Sequence, residues 1–112
     1  MEMTPQQALA LYRATGSAVL VRDWPDLTQR QLAILLDVYL SAPPHTVRGL
    51  AEKLGISKPA VSRALDRLGQ LEFAKRKIDE TDKRSILVQR TVKGSVFLRE
   101  FGDLVSAVAR DL

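Results

Sequence analysis

The sequence predicts a mainly α-helical fold carrying one small β-hairpin, and three observations point to it. Two capping boxes, Thr4 with Gln7 and Thr28 with Gln31, each open an apolar stretch of helical period. Two further helical stretches meet at the tight turn Gly55-Ile56-Ser57. After Phe73 the period changes to short strand-like runs on either side of a polar turn, Asp79-Glu80-Thr81-Asp82-Lys83.

Length and composition narrow the classes open to such a fold. At 112 residues the chain suits a single domain spanning 1–112. A net charge of +4 favours a polyanionic partner. Its distribution says more: five basic residues against three acidic ones lie between Lys75 and Arg84. No apolar run is long enough for a membrane span. The opening Met1-Glu2-Met3-Thr4-Pro5 lacks the layout of a secretory signal, and the chain has no cysteine, so a cytoplasmic location is expected. Catalysis is not expected either. His45 is the only histidine and reads as a solvated side chain in a Pro-Pro-His-Thr loop. No metal-ligand spacing and no phosphate-cradling glycine loop occurs, so no metal and no cofactor are expected.

Each element follows from local chemistry. Thr4 caps the first helix with Pro5 at its first position; Gly16 weakens the middle by about 1 kcal/mol, and Trp24-Pro25 ends it. In the second, Leu27 and Leu32 form a hydrophobic staple around the Thr28 cap. From Leu32 to Leu40 only Asp37 is charged, which places this helix in the middle of the fold. Pro43-Pro44 stops it. Thr46 to Gly55 is a short helix, and Ser57 caps another that runs to about Leu71, with Val61, Leu65, Leu68 and Leu71 in one stripe. Its opposite face carries Lys58, Ser62, Arg63, Asp66 and Arg67. Ala74 to Ile78 and Ser85 to Gln89 are the strands of the hairpin, and Thr91 caps a last helix.

Ala51, Gly55 and Val61 stand where a helix-turn-helix needs a small crossing residue, a turn glycine and an apolar anchor. A basic hairpin directly after the second helix makes the layout a winged helix-turn-helix, with the helix-turn-helix over 46–71 and the wing over 73–90. On physical grounds Ser57 presents free backbone N–H groups to a phosphate. Lys58, Ser62 and Arg63 are candidates for base edges in the major groove, Arg63 foremost because its guanidinium can donate two bonds to guanine. Arg67 meets phosphate or pairs with Asp66 or a neighbouring carboxylate; Thr46 and Arg48 are candidates for the DNA backbone. For Arg63 the alternative is a solvated helix face. Lys75, Arg76, Lys77 and Lys83 add salt-dependent phosphate attraction.

The stretches TVRGLAEKLGISKPAVSRALDRL, DETDKRSILV and TVKG, together with Asp82-Lys83-Arg84 matching an Asp-x-Arg signature, resemble the multiple antibiotic resistance regulator (MarR) family. The resemblance runs from about Leu27 to Gly94. It implies that Arg84 enters a minor groove while Asp82 holds it, against the alternative of a surface ion pair worth under about 1 kcal/mol. It further implies dimerisation through the terminal helices, here 4–22 and 91–112. Leu9 and Tyr12 of the first, and Phe97, Phe101, Leu104, Val105 and Val108 of the last, are the candidate dimer residues, unless they pack inside the monomer. Many relatives bind a small aromatic effector, and Tyr12, Trp24 and Tyr39 could line such a pocket or belong to the core.

Three departures stand out. Glu72 occupies a position where the family usually has glycine, so either it adopts a strained left-handed conformation or the helix ends early, near Gly69. Arg90 replaces a leucine, as an exposed residue or an extra phosphate contact. Members also carry about one more C-terminal helix than this sequence holds. The expected function is a homodimeric, sequence-specific regulator of transcription that binds double-stranded DNA at an inverted repeat, by default as a repressor. The rivals are a winged helix used as a protein adaptor or antirepressor, and a replication-initiator module.

Overall fold

A computed structural model describes residues 2–112; Met1, first in the stretch read for a secretory signal, lies outside them. In chain order the elements are α1 (Pro5–Leu20), α2 (Gln29–Leu40), β1 (His45–Thr46), α3 (Val47–Leu54), α4 (Lys58–Gln70), β2 (Ala74–Ile78), β3 (Ile86–Arg90) and α5 (Val92–Arg110). They fall into two compact units. One is Leu27–Phe97, and the other joins the chain up to Asp26 with Leu98–Leu112.

In the larger unit the expected caps of α2 and α4 both form. Thr28 and Gln31 make a complete capping box at the start of α2. Ser57 Oγ accepts the Ala60 amide at 3.2 Å to start α4. Gly55 ends α3 at φ 67°, a left-handed conformation that glycine adopts without a Cβ penalty. Ile34, Leu35, Val38, Val61 and Leu68 are wholly buried, so α2 packs its apolar side against the stripe of α4. With Leu50, Leu65, Phe73, Val88 and Phe97 these side chains form the core of the unit.

The sheet is larger than expected. It has three antiparallel strands in the order β1-β3-β2, with His45 opposite Val88 and Thr46 opposite Leu87. The reading of His45 as solvated is thereby corrected. It is 8% exposed, and its Nε2–H donates to the Ser41 carbonyl at 3.2 Å. A two-residue strand carries no periodicity of its own, and its partner lies some forty residues further along the chain.

Glu72 resolves the question left at the end of α4. It adopts φ 63°, the left-handed conformation, although it is not glycine. The Glu72 amide donates to Gly69 O at 3.0 Å and the Phe73 amide to Leu68 O at 2.9 Å, which together form a Schellman cap. Arg90 also has a defined task. Its Nε and Nη2 donate, each at 2.8 Å, to the carbonyls of Val38 and Ser41, acceptors that the last turn of α2 leaves unpaired.

In the smaller unit Thr4 and Gln7 complete the capping box of α1. That helix ends at Leu20, ahead of Trp24-Pro25. The Trp24 ring lies 6.0 Å from that of Phe101 and takes the Arg22 guanidinium at 5.7 Å. No helix of the described residues is long and apolar enough to cross a membrane.

Candidate nucleic-acid interface

Side chains proposed from sequence for base edges lie on the start of α4. Lys58 and Arg63 are exposed, while Ser62 and Arg67 are half-buried. Five buried residues (Ala60, Val61, Ala64, Leu65, Leu68) turn the opposite side of the helix inward, so the cationic side is the one that solvent reaches. Among the described residues neither Lys58, Arg63 nor Arg67 has a carboxylate within ion-pair distance, and Asp66 pairs instead with Arg76 on β2. Thr46 Oγ1 accepts the Gly49 amide at 2.9 Å, so this hydroxyl serves as the cap of α3. Arg48, in the first turn of α3, is exposed.

The hairpin separates its basic residues. Register pairs Arg76 with Val88, and Lys75 and Lys77 with Gln89 and Leu87. Because successive strand residues face opposite ways, Arg76 shares the face of buried Ala74 and Val88, while Lys75 and Lys77 occupy the other. The three cannot act as one patch. Arg76 is the side chain that ties β2 to α4, through Asp66.

Beyond the strands, two aspartates shape the turn. Asp79 Oδ1 accepts both the hydroxyl of Thr81 at 2.7 Å and its amide at 2.9 Å. These bonds, the hydroxyl's foremost, hold its carboxyl below the usual carboxylate range. Asp82 Oδ1 accepts the Arg84 amide at 3.2 Å and Arg84 Nε at 3.5 Å. The Arg84 side chain is nevertheless 92% exposed. Such a pair contributes little to stability, but it limits the directions in which the guanidinium can point. Lys83 beside it is exposed as well.

Of the candidate dimer residues, Leu9 and Tyr12 on α1 are 71% and 73% exposed. Phe101, Val105 and Val108 are half-buried, whereas Phe97 and Leu104 are buried within the chain. Phe97 stacks on Phe73 with ring centroids 4.5 Å apart. Tyr39, a candidate for lining an effector pocket, has its hydroxyl occupied by the backbone of Phe73 and Thr91.

Sequence reasoning passed over Arg30. It is exposed on the first turn of α2 and lines a cleft of about 160 Å³ together with Thr28, Gln31, Ala60, Arg63 and Ala64. Its signal was available as a basic residue two positions past a cap, but the proximity of α4 was not.

The MarR family profile matches residues 21–86, more than half the chain. The chain belongs to the MarR family. Members are DNA-binding transcription regulators and not enzymes, and the winged-helix fold is theirs. Among solved structures, a mutant of MepR from S. aureus is similar at a TM-score of 0.77 and 19% identity, over 98% of this chain and 82% of that one. A transcriptional repressor, CouR, bound to a 23-mer DNA duplex, is similar at 0.75 and 25%, over 95% and 72%. A MarR transcriptional regulator from Methanosarcina mazei Go1 is similar at 0.68 and 23%, over 92% and 74%. No curated protein matches the sequence. For this MarR-family chain the match spans α2, the helix-turn-helix and the wing as far as the first residue of β3.

Proposed function

We propose that this chain is a cytoplasmic, homodimeric repressor that reads an inverted repeat in double-stranded DNA. Arg84 carries the reading: a guanidinium 92% exposed, restrained by Asp82, at the tip of a wing in the same unit as the cationic side of α4. A narrow minor groove, with its enhanced negative potential, is what such a side chain suits. Lys58, Ser62 and Arg63 take the major groove, Arg63 on a guanine edge, while the backbone N–H groups at the Ser57 cap meet a phosphate. Thr46, Arg48 and Arg67 flank the backbone, and Lys75, Lys77 and Lys83 supply long-range attraction; Arg76 adds to this only where Asp66 releases it. The likeness to CouR, a repressor on a DNA duplex, supports the choice of partner and the sign of regulation.

The terminal helices 4–22 and 91–112 are the dimerisation element, led by the exposed Leu9 and Tyr12. A two-fold dimer reads two half-sites about one helical turn apart, and occupying both would exclude polymerase.

Selection from random duplex DNA, followed by salt-titrated binding, tests the proposal. The expected outcome is a motif of two-fold symmetry, with Arg63→Ala and Arg84→Ala each weakening it by about 1–3 kcal/mol. Equal affinity for all duplexes, untouched by either substitution, would leave an adaptor or antirepressor role in its place. Repeated, non-palindromic sites would indicate an initiator module.

A further inference from the structure

We infer that Arg30 is a DNA-backbone contact: the cleft between the first turn of α2 and the middle of α4 seats one phosphate of the duplex, at the edge of the groove that Arg63 enters. This rests on the reading of α4 as the recognition helix. The carrying observation is the lining of the cleft. Arg30 and Arg63 both line one cleft of about 160 Å³, and no carboxylate lines it. Neither arginine has an ion-pair partner among the described residues, although the chain contains 13 acidic ones. A cleft lined by two cations and by no carboxylate favours an anion from outside the chain.

Shape agrees with charge. The α4 residues that line the cleft beside Arg63 are the buried alanines Ala60 and Ala64, which add no bulk. Thr28 uses its side chain on the Gln31 amide and its carbonyl on the Leu32 amide, which leaves the Arg30 amide, in the first turn of α2, without an intrahelical acceptor. An arginine fork with an adjacent amide matches a phosphodiester's two free oxygens. The cleft is open and shallow, as the contact with a polymer backbone requires.

Arg30 would thus add affinity without sequence preference, and the experiment measures that distinction. Binding of the full chain to its selected site and to a scrambled duplex is titrated with salt for wild type, Arg30→Gln and Arg30→Lys. Arg30→Gln should weaken both duplexes by the same factor and flatten the slope of log K against log salt by about 0.9, the contribution of one phosphate. Arg30→Lys should restore most of the slope. A methylphosphonate at the phosphate it contacts should remove any further effect of Arg30→Gln. An unchanged slope in Arg30→Gln, in a wild type that binds its site, overturns the inference alone, and absence of salt-dependent wild-type binding overturns the proposed function with it. Millimolar inorganic phosphate, monitored by thermal shift, covers the remaining source. A stabilisation lost in Arg30→Gln, with the DNA slope unchanged, would make the cleft a free-anion site and refute the DNA role.

Discussion

The hydroxyl of Tyr39 fastens both roots of the wing to the end of α2: it donates to the Phe73 carbonyl at 2.7 Å and accepts the Thr91 amide at 2.8 Å. Phe73 immediately precedes β2 and Thr91 immediately follows β3. One atom therefore closes the hairpin at its base. Gly94 stands so close that a Cβ there would overlap both the hydroxyl and the Phe73 carbonyl. Tyr39→Phe should leave a half-buried amide and carbonyl without partners, a loss of about 1–3 kcal/mol in urea unfolding. Gly94→Ala should destabilise through the same contact. A Tyr39→Phe protein of wild-type stability would show that water replaces the hydroxyl at no cost.

Glu72 stores strain that a glycine would release. Its φ of 63° closes the Schellman cap, and a non-glycine residue holds that conformation at a cost of about 1 kcal/mol. Its carboxylate reaches Lys93 only at 3.9 Å on the surface, too little to offset the strain. Glu72→Gly should therefore raise the melting temperature, by roughly 4 °C for a chain of this size. Calorimetry decides it; a fall in melting temperature would mean that the lost backbone restriction in the unfolded state outweighs the strain.

Asp37 predicts how stability responds to acid. Its carboxyl lies below the usual carboxylate range chiefly because Lys53 hydrogen-bonds to it, at 2.8 Å, with Ser41 adding a further bond against the opposing effect of burial. A carboxyl depressed by folding stabilises the protein above its unfolded value, near 4, and that contribution is lost as pH falls through the folded value. Lys53 is more than half exposed, so the effect is below about 1 kcal/mol. Asp37→Asn should be less stable than wild type at pH 7, and the difference should shrink as pH falls below about 4 and through the folded value. A gap that stays constant throughout the acid range would rule out the linkage. The residual acid sensitivity of the variant then includes Asp79, whose carboxyl is depressed by Thr81.

At the wing tip the two bonds that Asp82 accepts from Arg84 make the aspartate a positioning residue. Asp82→Ala should weaken DNA binding less than Arg84→Ala does. In an Arg84→Ala background it should cost almost nothing more, because its effect passes through the arginine. A double-mutant cycle of affinities measures this. Fully additive losses would mean that Asp82 acts on its own, through the shape of the turn.

How much of this was legible in sequence depends on how far apart the causes lie. Thr28, Ser57 and Gly55 announce their helices because a cap and its partner are three or four residues apart. The wing was legible for the same reason, as its strands flank a polar turn. His45 and Arg90 were not. His45 is buried by the pairing of β1 with β3, opposite Val88, and Arg90 finds its acceptors, Val38 and Ser41, on a segment some fifty residues earlier. Glu72 lay between: the departure from glycine was visible, but only coordinates could say that the chain keeps the left-handed turn. For the interface, the cationic side of α4 followed from its apolar stripe, whereas Arg76 and Lys77 needed the register to be assigned to opposite faces.

The candidate dimer residues divide by burial, and the division predicts two different phenotypes. Leu9 and Tyr12 lie three apart on α1, hence on one face, and each leaves most of its surface in water. Exposed apolar side chains of this size, adjacent on a helix, are what a second copy would cover. Phe97 is 7% exposed and already stacked on Phe73, so its surface is spent within the chain. Replacing Leu9 and Tyr12 together by Glu should shift sedimentation from dimer to monomer at micromolar concentration while the helical signal is retained. Phe97→Ala should instead lower stability by about 3–5 kcal/mol, the cost of a cavity in a packed core, whatever the oligomeric state. A doubly substituted protein that still sediments as a dimer would remove α1 from the interface and leave the half-buried Phe101, Val105 and Val108 as the remaining apolar candidates.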